Sequence, residues 1–165
     1  MEMVDKFDKK RLPLNKVTER YDRIDGEYKL SMHLWIQNES GEFLIQKRSN
    51  NKKVFPGFWS ITGGGVDLGE TTLDTVYREC NEELGITANS NNLELVLCFK
   101  RKFNFTDIYL LKQNINLKDI VLQEEEVTDV KWVTIEEIRE MIKNNDFAPN
   151  ITFYFEMFIK LISEE

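Results

Sequence analysis

The sequence is poor in several residue types that often organise a small protein. It has two cysteines, Cys80 and Cys98, 18 positions apart, and a single histidine, His33. That leaves no metal-type Cys/His spacing and no disulfide framework, so a reduced, cytoplasmic protein is expected. The longest apolar run, residues 95–99, is far short of the roughly 18 residues of a membrane span. No transmembrane helix and no membrane partner are expected. The opening Met-Glu-Met-Val-Asp-Lys-Phe-Asp-Lys-Lys mixes charge signs and has no apolar core region, which does not read as a secretory signal. Bases are also in the minority, 22 against 29 acids, for a net charge of −7. That balance argues against nucleic acid as the main partner, because duplex binding depends on lysine and arginine neutralising phosphates.

What is present is an ordinary globular composition. The chain has 165 residues, 41% hydrophobic and 31% charged, enough for one domain and too few for two comfortable ones. Disordered and low-complexity readings are set aside. Residues 1–24 are highly charged and carry Pro13, which reads as an N-terminal arm, or loosely docked edge segment, ahead of a single domain over 25–165. Residues 28–36 and 42–47 read as strands joined by a turn at 38–41. A polar loop follows at 50–53, then a short apolar stretch at 58–61, and three glycines at 63–65 break any regular element. Thr71 begins a helix with Asp74 in a capping-box arrangement, and Gly85 suits its end. Further strands are expected at 93–100, 107–112 and 127–133. Thr134 and Glu137 repeat the capping pattern before a helix to about Lys143, where Trp132 is expected to pack beneath, and Asn150 is placed to cap a last helix rich in phenylalanine. Strands mixed with three helices, without repeats or a linker, give the α/β class.

The chemistry concentrates in residues 64–86, Gly-Gly-Val-Asp-Leu-Gly-Glu-Thr-Thr-Leu-Asp-Thr-Val-Tyr-Arg-Glu-Cys-Asn-Glu-Glu-Leu-Gly-Ile. At about 100° per residue, Leu73, Val76, Tyr77, Cys80 and Leu84 share one arc of the helix, a core-facing stripe. Glu79, Glu82 and Glu83 occupy another. Like charges at these spacings repel by a few tenths of a kcal/mol per pair. A solvated acidic face is one reading of this. The other is a hard divalent cation, since Mg²⁺ is held by a few carboxylates, waters and substrate phosphates.

This segment resembles the Nudix box. The family pattern places a glycine, a glutamate, Arg-Glu, Glu-Glu, a glycine and a final aliphatic residue in a fixed frame. Gly64, Glu70, Arg78, Glu79, Glu82, Glu83, Gly85 and Ile86 stand in those places without a gap. Cys80 takes a position usually held by a larger aliphatic side chain, where cysteine acts as a small hydrophobe. Outside the box, Lys47-Arg48-Ser49 and Pro56-Gly57-x-Trp59 resemble the run-in common in Nudix proteins, and residues 127–137 resemble the strand and helix that follow. The likeness covers about residues 28–145 and leaves 1–24 unexplained. It implies a Nudix-type α/β/α sandwich, with a mixed β-sheet between helices.

The resemblance further implies hydrolysis of the diphosphate bond in a nucleoside di- or triphosphate, or a related nucleoside diphosphate derivative, with Mg²⁺ or Mn²⁺. Glu79, Glu82 and Glu83 would face the metal, joined by the carbonyl of Gly63. Arg78 would orient Glu79, and Glu70 would tie the loop to the helix. The general base is left between Glu79 and a later glutamate, Glu125 or Glu126, either of which is also a candidate extra metal ligand. Gly64 and Arg48 are candidate substrate contacts, Arg48 because its guanidinium suits a phosphate. Phe55 and Trp59 could flank a planar group, although aromatic residues beside a strand usually pack the core, and His33 reads as structural.

Two other readings stay open. Residues 28–59 are also similar to type I isopentenyl diphosphate isomerase, through Gln46-Lys47-Arg48-Ser49 and Phe55-Pro56-Gly57. The cysteine that enzyme uses is replaced here by Gly63 and Gly64, however, and its histidine ligands are missing. A non-catalytic Nudix sensor usually loses box glutamates that this chain keeps. The proline downstream of the box in ADP-ribose and NADH subfamilies is absent, which leans mildly toward a nucleoside di- or triphosphate. A homodimer is compatible with the family.

Overall fold

The computed structural model describes residues 2–164. In chain order its elements are β1 (Met3–Phe7), β2 (Pro13–Glu19), β3 (Lys29–Gln37), β4 (Phe43–Arg48), β5 (Trp59–Ser60), β6 (Thr62–Gly65), α1 (Thr72–Leu84), β7 (Leu93–Lys100), β8 (Asn104–Lys112), β9 (Val127–Val133), α2 (Ile135–Lys143), α3 (Pro149–Thr152) and α4 (Phe155–Ser163). β3 is the axis of a seven-stranded mixed sheet. It runs parallel to β8, from Lys29 opposite Asn104 to Gln37 opposite Lys112, and antiparallel to β6. β8 continues to β7, while β4 joins β9 and β5. The turn at 38–41 connects β3 to β4, yet their register holds only at Gln37 and Phe43.

Side chains of a strand alternate between faces, and here each face feeds its own core. Met32, Leu34 and Ile36 of β3 pack with Tyr109 and Leu111 of β8 against Val76, Cys80 and Leu84 of α1. Trp35, Ile108 and Leu110 pack on the other face against Phe147, Phe155 and Phe158, with Ile138 of α2 in the same cluster. The Trp35 and Phe158 rings stack at 5.0 Å between centroids. Burying one such phenylalanine is worth about 2–3 kcal/mol, so the aromatic-rich C-terminal helices anchor this side. The result is an α/β/α layering around a mixed sheet.

The box helix α1 is delimited as its sequence requires. Thr71 and Asp74 form a reciprocal capping box, and Gly85 closes the helix in the left-handed region at φ 64°. Its buried side differs from the expected stripe. Leu73 is 42% exposed, whereas Thr72, Thr75 and Glu83 are buried with Val76, Cys80 and Leu84. Thr72 is drawn inward by hydrogen bonds to Asp107 (2.6 Å) and the Tyr109 hydroxyl (2.9 Å) on β8.

Four further expectations are corrected. The glycines at 63–65 do not interrupt regular structure. They form most of β6 and pair with residues 31–33 of β3, because an adjacent strand supplies backbone partners whatever the side chain. Asn150 caps nothing: Ala148 precedes α3, Pro149 takes its first turn, and the C-terminal segment divides into two helices. Trp132 packs on the α1 side of the sheet, its indole N–H donating to the Ile115 carbonyl at 3.3 Å, rather than beneath α2.

The N-terminal segment is an antiparallel hairpin of β1 and β2, not a loosely docked edge. Asp8 accepts hydrogen bonds from the Lys10 and Leu12 amides in its turn, and a bridge between Phe7 and Tyr28 ties it to the domain. Three polar contacts fix it to the box region. Asp5 accepts from the Gly69 amide at 2.8 Å, Arg11 forms a two-pronged bond to Asp107 at 2.7 and 2.6 Å, and Arg20 pairs with Asp67.

Candidate active site

β6 and α1 lie side by side, which sets the glycine-rich strand against the carboxylates of the helix. A Cβ at Gly64 would collide with the Glu79 carboxylate, so only glycine lets backbone and side chain approach this closely. Arg78 organises the rest. Its guanidinium donates to Glu70 (2.9 Å), Glu79 (2.9 Å), Glu82 (3.2 Å) and the Gly65 carbonyl (3.2 Å), with Asp67 at 3.4 Å. One rigid fork of donors thus spaces four carboxylates that would otherwise repel. Burial works to raise Glu70, but Arg78 and the Thr75 hydroxyl hold it below the usual carboxylate range.

Glu83 is the exception to the exposed acidic face. It is buried, and its Oε2 accepts from Gln46 Nε2 at 2.8 Å, while Gln46 Oε1 accepts from the Thr62 hydroxyl at 3.0 Å. Burial, then the neighbouring Glu79, pushes its carboxyl up to about 8. Burial likewise pushes Glu79 up to about 7, against the pull of Arg78. Glu83 has only the neutral Gln46 side chain as its hydrogen-bond partner, while the half-buried Glu79 shares the Arg78 guanidinium with its neighbours.

These groups form one wall of a cleft of about 730 Å³. Gly63, Gly64, Glu79, Glu82 and Glu83 line it together. Arg48, Glu125 and Glu126 line it as well, brought in by the end of β4 and the loop before β9. Arg48 donates from Nε to the Val54 carbonyl at 3.0 Å, and Glu126 is paired with Lys52. His33 is on the lining too, its Nδ1 2.9 Å from the Tyr154 hydroxyl, with burial and then Arg101 and Arg48 pushing its imidazole down to about 4. It is neutral at ordinary pH.

Phe55 and Trp59 are not on this lining. Phe55 packs edge-on against Phe58 at 6.0 Å, and Trp59 lies beneath Lys131 and Lys47 at 4.4 and 5.9 Å, both rings against the core around Trp35. β5 pairs with β4, Trp59 opposite Lys47, and both aromatic rings are taken up by packing against the core. Other residues of the site escaped the sequence reading. Gln46, buried behind the lining as the partner of Glu83, carried a weak signal, an amide directly after three apolar residues of its strand, where a buried partner is required. Arg20 and Tyr21, which also line the cleft, carried none, since nothing local says that the N-terminal segment folds back over the box.

Among the described residues no three His, Cys, Asp or Glu side chains stand as a ready-made cage for a cation. The donor set nonetheless fits a hard ion that keeps several waters: oxygen donors only, on one wall, held apart by Arg78. Cys80 is not part of it, being buried in the core with its thiol pushed up to about 12 by burial.

Residues 27–155 match the family model of the NUDIX domain. The Nudix hydrolase lin0387 of Listeria innocua is 36% identical over 125 residues, 75% of this chain and 74% of that protein. The nucleoside triphosphatase NudI of Enterobacter sp. is 32% identical over 133 residues, covering 72% and 89% respectively. In structure, DR0079 from Deinococcus radiodurans superposes with a TM-score of 0.76 over 89% of this chain and 92% of that one, at 20% identity. Fold, family match and the glycine-cradled carboxylates of α1 agree: the chain is an enzyme of the Nudix hydrolase family, which hydrolyses nucleoside diphosphate derivatives and generally uses divalent metal ions.

Proposed function

We propose that the enzyme is a Mg²⁺-dependent pyrophosphohydrolase of nucleoside di- or triphosphates or closely related derivatives. The observation that carries this reading is the wall of Glu79 and Glu82, spaced by Arg78, and Glu83, held by Gln46, all facing a cleft that also holds Arg48. Glu82 and Glu83, with the carbonyl of Gly63, are the residues that would hold the cation. Bound there, Mg²⁺ supplies positive charge against the diphosphate oxygens, where charge builds as water attacks. Arg48 orients a phosphate in the cleft. Glu79, pressed against Gly64 and fixed by Arg78, accepts the proton as the water oxygen bonds to phosphorus and the bridging P–O bond breaks. Glu126 is less free for that task because it is tied to Lys52. The name of the NudI relative supports a triphosphate among the substrates.

The test is turnover with Mg²⁺ on nucleoside triphosphates, diphosphates and sugar-linked diphosphates, reading phosphate, pyrophosphate or nucleoside monophosphate release. Hydrolysis of at least one class is expected, lost on chelation. Glu79→Gln is expected to lower kcat more than Glu125→Gln or Glu126→Gln does. Tight binding without any turnover would replace the enzyme by a sensor, and activity indifferent to chelation would remove the metal.

A further inference from the structure

Beside the cleft lies a second pocket of about 540 Å³ that the reading above does not use. It opens between the end of the N-terminal hairpin, the start of β3 and the turn joining β7 to β8. Arg20, Tyr21, Ser31, Gly65, Arg101 and Asn104 line both spaces, so the two are continuous alongside Gly65. Their charge is opposite in character. The catalytic cleft mixes bases with the box carboxylates, whereas the second pocket is lined by Arg20, Arg23, Lys29, Arg101 and Lys102 and, among the described residues, by no Asp or Glu.

These cations are held in place rather than scattered. Lys29 Nζ donates to the Arg20 carbonyl. Arg23 and Lys102 both approach the Phe103 ring, at 5.8 and 5.0 Å, and Arg101 lies 5.1 Å from the Phe153 ring. Arg20 is neutralised by Asp67 and Glu2. Among the described residues, Arg23, Lys29, Arg101 and Lys102 have no ion pair with a carboxylate within 4 Å. Burial and then Lys6, Arg23 and Arg20 push the Lys29 ammonium down, against the opposing pull of Asp22. Like charges gathered without a counter-charge repel, and a doubly charged anion offsets that repulsion while filling several donors at once.

We propose that this pocket receives a phosphate monoester carried by the organic part of the substrate, remote from the diphosphate that is cut. The inference rests on the catalytic reading only in that it seats the scissile diphosphate at the box. A pocket of this volume, bordered by the N-terminal segment and continuous with the cleft, suits one sugar phosphate better than a strand of nucleic acid. The N-terminal segment thereby becomes a specificity element: Arg20, Tyr21 and Arg23 follow directly on the hairpin, in a part of the chain that precedes the family match at residue 27.

Two matched pairs test it, NADPH against NADH and coenzyme A against dephospho-coenzyme A, each differing by one phosphate monoester. Affinities of the intact protein are measured by calorimetry in EDTA, and kcat/KM is measured with Mg²⁺. The phosphorylated member of at least one pair is expected to bind about tenfold more tightly, the scale of one or two charge-assisted contacts. In the double variant Arg23→Ala/Lys102→Ala that ratio is expected to fall below about twofold. Ratios within twofold for both pairs in the wild type, or a ratio that survives the double variant, would overturn the proposal. So would equal affinity for a short single-stranded oligonucleotide lacking a diphosphate. Because the affinity ratio needs no turnover, failure to hydrolyse either pair leaves it decisive and counts only against these compounds as substrates.

Discussion

Glu83 shows how a single residue serves both packing and chemistry. It sits on the covered side of α1 with Gln46 as its partner, so its charge is expensive to keep without a cation. Replacing it by glutamine removes the charge and preserves the shape and one hydrogen bond. Glu83→Gln is expected to lower kcat at least a hundredfold while its melting temperature equals or exceeds that of the metal-free wild type. Near-normal kcat at saturating Mg²⁺ would remove Glu83 from the metal site. Sorting by helical angle placed Glu83 with the exposed acids because the angle records only the helix, and the residue that covers Glu83 comes from a strand 37 positions earlier. Arg11 and Asp107 pose a separate case. Burial works to raise Asp107, but Arg11, the Thr72 hydroxyl and the Cys98 thiol hold its carboxyl below the usual range. The unfolded chain therefore binds the proton more readily, and the pair's contribution is complete above the ordinary carboxylate value of about 4 and lost as pH falls through the lower folded value. Arg11→Met is expected to cost about 2 kcal/mol at pH 7, below the figure for a fully buried pair because Arg11 is a third exposed. Urea unfolding at pH 7 and again in acid should show the two proteins converging; a gap that stays constant with pH would mean that the lost stability is not electrostatic.

At the scale of elements, α1 was legible because both of its ends carry local signals, a capping box and a glycine, and because its apolar residues repeat at helical spacing. The N-terminal hairpin was not. Its turn holds Arg11 at φ 65° and Asn15 lies at φ 51°, so no glycine marks a reversal, and its second strand is mostly exposed. What fixes it is distant polar contact with the box, which no local pattern reveals. β6 was missed for a related reason, since glycine carries no strand signal and the pairing is supplied by β3. The end of α1 also matters beyond its own stability. The Leu84 and Glu83 carbonyls accept from Val121 (3.0 Å) and Gln123 (3.3 Å), which starts the loop that carries Glu125 and Glu126 into the cleft. A Cβ at Gly85 would stand 3.0 Å from Val121 Cβ and need the left-handed conformation. Gly85→Ala is expected to cost about 1–2 kcal/mol, a melting shift of roughly 4 °C for a chain of this size, with KM raised through the displaced loop. Gly85→Asn, which tolerates the conformation better, should lose less by thermal unfolding; equal losses would assign the whole effect to the contact with Val121.

Across the whole molecule the net charge of −7 is unevenly held. Residues 64–86 contain six acids and one base, a local −5, which leaves −2 for all the rest. The acidity that disfavours nucleic acid is thus mostly the box, and the remaining surface is nearly balanced and includes the cationic pocket next to it. An enzyme arranged this way presents one strongly negative site that a divalent cation inverts locally, so that an anionic substrate can enter. Folding and cation binding must then be linked, because a cation that binds only the folded chain stabilises it. With a dissociation constant of about 1 mM, 10 mM Mg²⁺ adds about 1.4 kcal/mol, a rise of roughly 3–6 °C in melting temperature. Potassium chloride at matched ionic strength separates this from screening of surface charge and is expected to give a smaller shift. Glu83→Gln should respond to the two salts alike. If Mg²⁺ and potassium chloride raise the wild-type melting temperature equally, the box carboxylates do not hold the ion, and the charge concentrated in residues 64–86 would have to be offset by the substrate's own counter-ions instead.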